Sequence, residues 1–193
     1  AKTQTLYYVD IFGESIHKYV PATNFHSKAN LGAHVGFIIP VEGSDDRFVI
    51  SMGREIVSVK WDGVSTSVSE IEKIAEVDTN LDGNRVNDGK ADPTGKLWAG
   101  TMSIEKNGKI LKTTGSFYSF GKKNQVKKHL SNVHISNGLA WSADAKKFYY
   151  IDSGEGRVDQ FDYDKDTETI SNRQPLFTLA KHNIDGFADG QAI

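Results

Sequence analysis

The chain contains no cysteine, so disulfide staples and thiolate chemistry are both closed to it. That suits a reducing compartment. With no Asn-x-Ser/Thr acceptor either, the cytoplasm is the expected location. Long apolar runs are missing too. The longest, Val35 to Val41, is interrupted by Gly36 and Pro40 and falls far short of the roughly 20 residues that span a bilayer. Charge of either sign is almost balanced: 23 Lys and Arg against 25 Asp and Glu leave a net charge of -2. Such a chain exerts no long-range pull on phosphate backbones or anionic lipid. Lys122, Lys123, Lys127 and Lys128 cluster, but without interleaved aromatics they read as a solvated loop. Neither a Gly-x-Ser-x-Gly elbow, a Gly-x-Gly-x-x-Gly loop nor a Walker motif is present. The six histidines (17, 26, 34, 129, 134, 182) show no zinc-finger or triad spacing, and His134 and His182 are read as surface or loop residues.

What the sequence does have is a repeat. Four apolar, aromatic-rich pentads begin at Leu6, Phe48, Leu97 and Phe148, at spacings of 42, 49 and 51. The first and last are nearly the same text, LYYVDIFGESIHKY and FYYIDSGEGRVDQF. Each pentad precedes a polar or Gly-rich turn and a second β-type run, as in Ser15 to Val20, Glu55 to Trp61 and Arg157 to Tyr163. Alternating apolar and polar residues predict half-buried strands. Asp62-Gly63, Asp82-Gly83 and Asn107-Gly108 are hairpin-type dipeptides. Only Val68 to Val77 carries a helical spacing. Strand-turn-strand units at this period predict an all-β chain of four-stranded propeller blades, preferred over a sandwich or open barrel. At about 48 residues per blade, 193 residues supply about four. The strand expected before Leu6 and the pentad expected near position 199 fall outside them, so the chain is expected to be a fragment of one β-propeller domain spanning 1–193.

The repeat phase also picks out a site. Asn87 lies ten residues before Leu97, Asn137 lies eleven before Phe148, and Asp189 comes next, at separations of 50 and 52. Equivalent places in successive blades form a ring about the propeller axis. Two amides and a carboxylate there are hard oxygen donors of the kind that suits Ca²⁺, Mg²⁺ or Mn²⁺. The competing reading is that each is a turn corner, since Asn-Gly and Asp-Gly are common turn dipeptides. Asp78-Thr79-Asn80-Leu81-Asp82-Gly83 matches the first half of an EF-hand loop, but Gly89 stands where the loop needs Glu. It is read as a polar loop.

The segment from Asn84 to Pro93, continuing to Leu97-Trp98-Ala99-Gly100-Thr101-Met102, resembles the signature of one family. So do Ile135-Ser136-Asn137-Gly138-Leu139-Ala140-Trp141-Ser142, Phe148 to Ser153, Val158 to Asp164 and Ile170 to Arg173. The family is that of regucalcin (senescence marker protein), gluconolactonase and luciferin-regenerating enzyme, and the chain is most similar to its regucalcin and luciferin-regenerating branch. The resemblance implies a six-bladed propeller with one divalent metal ion at the axis, calcium first, with Mg, Mn or Zn as alternatives. It implies Asn137 and Asp189 as metal ligands, Asp189 also as general base, and Arg85, Asn87 and Glu105 as substrate contacts. The family's remaining ligand, a Glu in a Gly-Glu-Gly-Pro segment, is expected upstream of Leu6.

The function that follows is metal-assisted hydrolysis of a sugar lactone. Two alternatives stay open: a luciferin-regenerating enzyme acting on oxyluciferin, and a non-catalytic calcium-binding regulator. The expected partner is a small-molecule substrate, without nucleic acid or membrane, and the expected state is a monomer or weak homodimer.

Overall fold

Residues that alternate apolar and polar pair into antiparallel meanders along the chain. The computed structural model describes residues 4–103, 105–106, 109–110, 112–121 and 125–193. They fall into two compact units, 1–86 and 87–193.

In the first unit, β1 (Leu6–Asp10), β2 (Ser15–Val20) and β3 (Phe25–Asn30) form a three-stranded sheet in that order. A four-stranded sheet follows, ordered β4 (Ile38–Pro40), β5 (Arg47–Met52), β6 (Glu55–Lys60) and β7 (Glu70–Glu76). The pentads at Leu6 and Phe48 are β1 and the body of β5, and the predicted second runs are β2 and β6. Their inward positions supply the core: Ile16, Ala29, Val35, Phe48, Ile50, Val57, Val59 and Trp61. Burying the Ile, Val and Phe side chains among them contributes roughly 1.5–3 kcal/mol each.

The second unit holds a sheet ordered β13-β12-β9-β8, with β8 at Asn84–Ala91, β9 at Leu97–Ser103, β12 at Gly115–Phe120 and β13 at Val126–Val133. A small ribbon pairs β10 (Glu105–Lys106) with β11 (Lys109–Ile110). The last sheet runs β14 (Ser136–Trp141), β15 (Lys147–Asp152), β16 (Arg157–Asp164) and β17 (Thr169–Thr178). Trp98, Phe117, Leu139, Phe148, Tyr150, Phe161 and Tyr163 make its core. Phe117 and Phe148 stack with ring centroids 5.5 Å apart and planes 10° apart, a geometry that adds to plain area burial.

Two expectations are corrected. Val68 to Val77 is not helical, because β7 occupies Glu70–Glu76 and pairs with β6. Ile71, Ile74, Ala75 and Val77 have i, i+3, i+4 spacing, yet the free edge of β6 offers a complete ladder. A register shift opposite Ile56/Val57 lets Ala75 turn inward, so pairing overrides local propensity. Asp82-Gly83 is not a hairpin turn, since it links β7 to β8, which belong to different sheets. Gly63, by contrast, has φ +72° in the connection between paired β6 and β7. Asn107-Gly108 lies outside the described residues, as do Lys122 and Lys123. Lys127 and Lys128 sit exposed on β13. The EF-hand-like string forms a loop in which Asn84 Nδ2 donates to Asp78 Oδ2 at 2.7 Å. Among the described residues, no helix is long and apolar enough to cross a membrane.

Candidate functional site

Asn87 and Asn137, picked out by repeat phase, are strand residues of β8 and β14 rather than turn corners. Both are buried and they touch. Asn87 Nδ2 donates to Asn137 Oδ1 at 3.0 Å and to the Ser136 carbonyl at 2.9 Å. Asn137 Nδ2 then donates to Ser153 Oγ at 2.7 Å, and the Ser153 hydroxyl donates to the Ala188 carbonyl at 2.7 Å. This one-way relay fixes how both amides are turned. It leaves Asn137 Oδ1 with one lone pair committed to Asn87 and a second for another partner.

Asp189 is positioned by backbone contacts. Its neighbour Ala188 takes the Ser153 hydroxyl, and Gln191 Nε2 donates to the Gly138 carbonyl at 2.8 Å. Gly138 sits where β14 shifts register, between Asn137 and Leu139. A Cβ there would lie 2.6 Å from the Asp189 carbonyl oxygen and 2.6 Å from Ile151 Cδ1. Only glycine allows that approach.

Asn137, Asp189, Glu105, His134 and Ser153 line one cavity of about 470 Å³, with Phe187 and Ile110 on its apolar side. Glu105, itself exposed, reaches it from β10. Among the described residues, Arg85 and Asn87 do not line it. Asn87 acts on it through Asn137, and Arg85, two residues earlier on β8, is buried with Nη1 donating to the Val86 carbonyl at 3.2 Å. Residues two apart on a strand share a face.

Two groups here escaped the sequence reading. Asp88, next to Asn87, is pushed up to about 6 by burial first, with the Asp189 charge adding to it and the Gly89 N–H and Lys90 opposing. His134, read as a surface or loop residue, does sit in the β13–β14 connection, and from there it also lines the cavity. Its place three residues before Asn137 was the available signal, but one histidine in a loop does not reveal that the loop borders a cavity. His182 does lie at the surface, stacked on Phe177 at 4.6 Å.

The donor set fits a hard divalent cation. The cavity offers an amide oxygen with a spare lone pair and the Asp189 carboxylate, and the Asp88–Asp189 repulsion is what a cation relieves. Among the described residues no group of three His, Asp or Glu forms a cage. Asn137 and Asp189 would by themselves supply only part of a coordination shell.

A family model described as SMP-30/Gluconolactonase/LRE-like region matches residues 1–193. Regucalcin of Xenopus laevis is 36% identical over 193 residues, covering 100% of this chain and 62% of its own length. Human regucalcin is 35% identical over 192 residues, covering 99% and 61%. A solved luciferin-regenerating enzyme is 52% identical with a TM-score of 0.95, covering 98% of this chain and 62% of that one. Regucalcin from Agrobacterium tumefaciens, described as a calcium-binding protein, is 24% identical with a TM-score of 0.80, covering 98% and 60%, and speaks to the fold alone. The chain thus spans less than two thirds of these relatives' length, and its fold is part of a β-propeller.

Proposed function

The chain belongs to the SMP-30/gluconolactonase/LRE-like family, and from that premise we propose that it carries the pocket of a divalent-metal-dependent hydrolase acting on a sugar lactone. The observation that carries this reading is the convergence of Asn137, Asp189 and Glu105 on one cavity, with Asn87 bonded to Asn137.

Asn137 Oδ1 and the Asp189 carboxylate would hold the cation, calcium in the first place. When bound, the ion supplies Lewis-acid polarisation of the ester carbonyl. Asp189 accepts the proton of the attacking water as the new C–O bond forms. The ring C–O bond then breaks and its oxygen leaves as a hydroxyl, taking that proton back. Asn87 keeps the Asn137 amide oriented and Glu105 accepts from substrate hydroxyls. Arg85 is a substrate contact by the family resemblance alone, since it does not line this cavity among the described residues. The protein is taken to work on a small molecule in the cytoplasm, as one propeller domain without nucleic acid or membrane.

The test is hydrolysis of gluconolactone by the full-length protein after chelation and return of Ca²⁺, Mg²⁺, Mn²⁺ or Zn²⁺. Restored turnover that Asp189→Ala abolishes, with the fold retained, is the expected result. Undiminished turnover in that variant would remove Asp189 from the mechanism. A second reading has its own observation, the 52% identity to a luciferin-regenerating enzyme. It predicts that oxyluciferin is processed in preference to the lactone by the same preparation.

A further inference from the structure

His134 enters the cavity wall from the connection between β13 and β14. Its backbone N–H donates to Asp152 Oδ2 at 2.9 Å, and the Ile135 N–H donates to Asp152 Oδ1 at 3.0 Å. Gly154 N–H reaches the same Oδ1 at 3.2 Å. One carboxylate thus ties the backbone under His134 to the turn that packs on its ring. That packing is close: a Cβ on Gly154 would lie 2.4 Å from both Cγ and Nδ1 of the imidazole. The ring is a fixed piece of wall.

The contact also selects a tautomer. Nδ1 is buried and has no hydrogen-bond partner among the described residues. A proton placed there would be a buried donor without an acceptor, which folded proteins avoid more strictly than an unused lone pair. The proton of the neutral ring therefore belongs on Nε2, away from Gly154. Other polar groups of the wall are committed or of opposite character. The Ser153 hydroxyl goes to Ala188, Asn137 Nδ2 gives a hydrogen to Ser153, and Glu105 and Asp189 accept when ionised.

We infer that His134 presents a fixed Nε2–H donor to the cavity and holds an oxygen acceptor of the substrate with it, making the pocket selective for an oxygen-rich lactone. The acceptor's identity rests on the lactonase reading; the tautomer does not. The test compares wild-type full-length protein with His134→Phe, which keeps a flat ring without a donor, and His134→Gln, which keeps an N–H donor. Long-range ¹⁵N–¹H spectra at neutral pH read the tautomer, steady-state kinetics on gluconolactone read KM and kcat separately, and calorimetry reads gluconate binding. We expect Nε2 to carry the proton, KM to rise about tenfold in His134→Phe at unchanged melting temperature, and His134→Gln to stay within about threefold of wild type. A proton on Nδ1, or an unchanged KM in His134→Phe, overturns the inference. Should the wild type hydrolyse no lactone, the lactonase reading fails by itself. The inference then stands or falls on the tautomer and on whether His134→Phe weakens gluconate binding, and absence of gluconate binding by the wild type counts against it.

Discussion

Asp92 shows how much one side chain can organise. Its buried carboxylate accepts from Trp98 Nε1 at 3.0 Å, Tyr163 Oη at 2.6 Å, Thr94 Oγ1 at 2.7 Å and the Lys96 N–H at 3.0 Å. Burial alone would push its pKa up, yet these donors outweigh burial and hold it below the ordinary 3.8. Its contribution to stability is therefore present above about pH 3.9 and is lost as pH falls through the lower folded value. Asp92→Ala strands an indole N–H and a phenol in the core, so a loss of about 3 kcal/mol is expected from urea unfolding at neutral pH. A loss under about 1 kcal/mol would show that water replaces the carboxylate. At this scale the sequence was partly legible. That Asn137 and Asp189 border one cavity was legible because they keep the blade period, and phase survives in the text. The place of His134 was not, because nothing local distinguishes a loop on a cavity wall from any other loop, and the Asp88–Asp189 repulsion depends on residues 101 positions apart.

Elements were the most legible level. Alternation predicted β1, β2, β5, β6, β9, β15 and β16 to within about two residues, because strand period and burial face coincide in a half-buried meander. β7 was misread, since its apolar spacing is helical and its partner strand lies outside any short window. The register shift in β14 was also invisible, although it brings the 188–191 segment against Gly138. Gly138→Ala tests that element. The added methyl would collide with the Asp189 carbonyl and with Ile151, so the segment must move. Activity should fall more than about tenfold while the melting temperature drops only a few degrees, because positioning errors near 1 Å are costly to catalysis. Full activity would mean that Asp189 does not need its present seat.

At the scale of the whole molecule, acid stability depends on a histidine far from the mechanism. His129, on β13, lies with its ring centroid 4.5 Å from that of Trp98, the planes tilted by 31°, and shares a 2.8 Å hydrogen bond with Ser119. Burial first, then the Lys127 and Lys96 charges, push its pKa from 6.5 down to about 4. As pH falls below 6.5 the unfolded chain takes up a proton that the folded one refuses. Stability present above that point is lost towards about pH 4, by about 2 kcal/mol after allowance for the ring's partial exposure. His129→Phe should flatten that stretch of the urea-midpoint profile against pH; parallel profiles would assign the loss to other groups. The period of the repeat made the propeller legible, but how one sheet sets this imidazole against Trp98 and Phe117 was not.

The Asn87–Asn137–Ser153–Ala188 relay has a consequence for chemical ageing. Asn137-Gly138 is the dipeptide most prone to lose ammonia, through attack of the glycine nitrogen on the asparagine side-chain carbon and hydrolysis of the resulting ring. Strand backbone at Asn137 keeps that nitrogen away from its target, and the hydrogen bonds to Asn87 and Ser153 hold the amide still. Any loosening of β14 would let the clock run, ending in a carboxylate that no longer donates to Ser153 and faces Asp189 with a second negative charge.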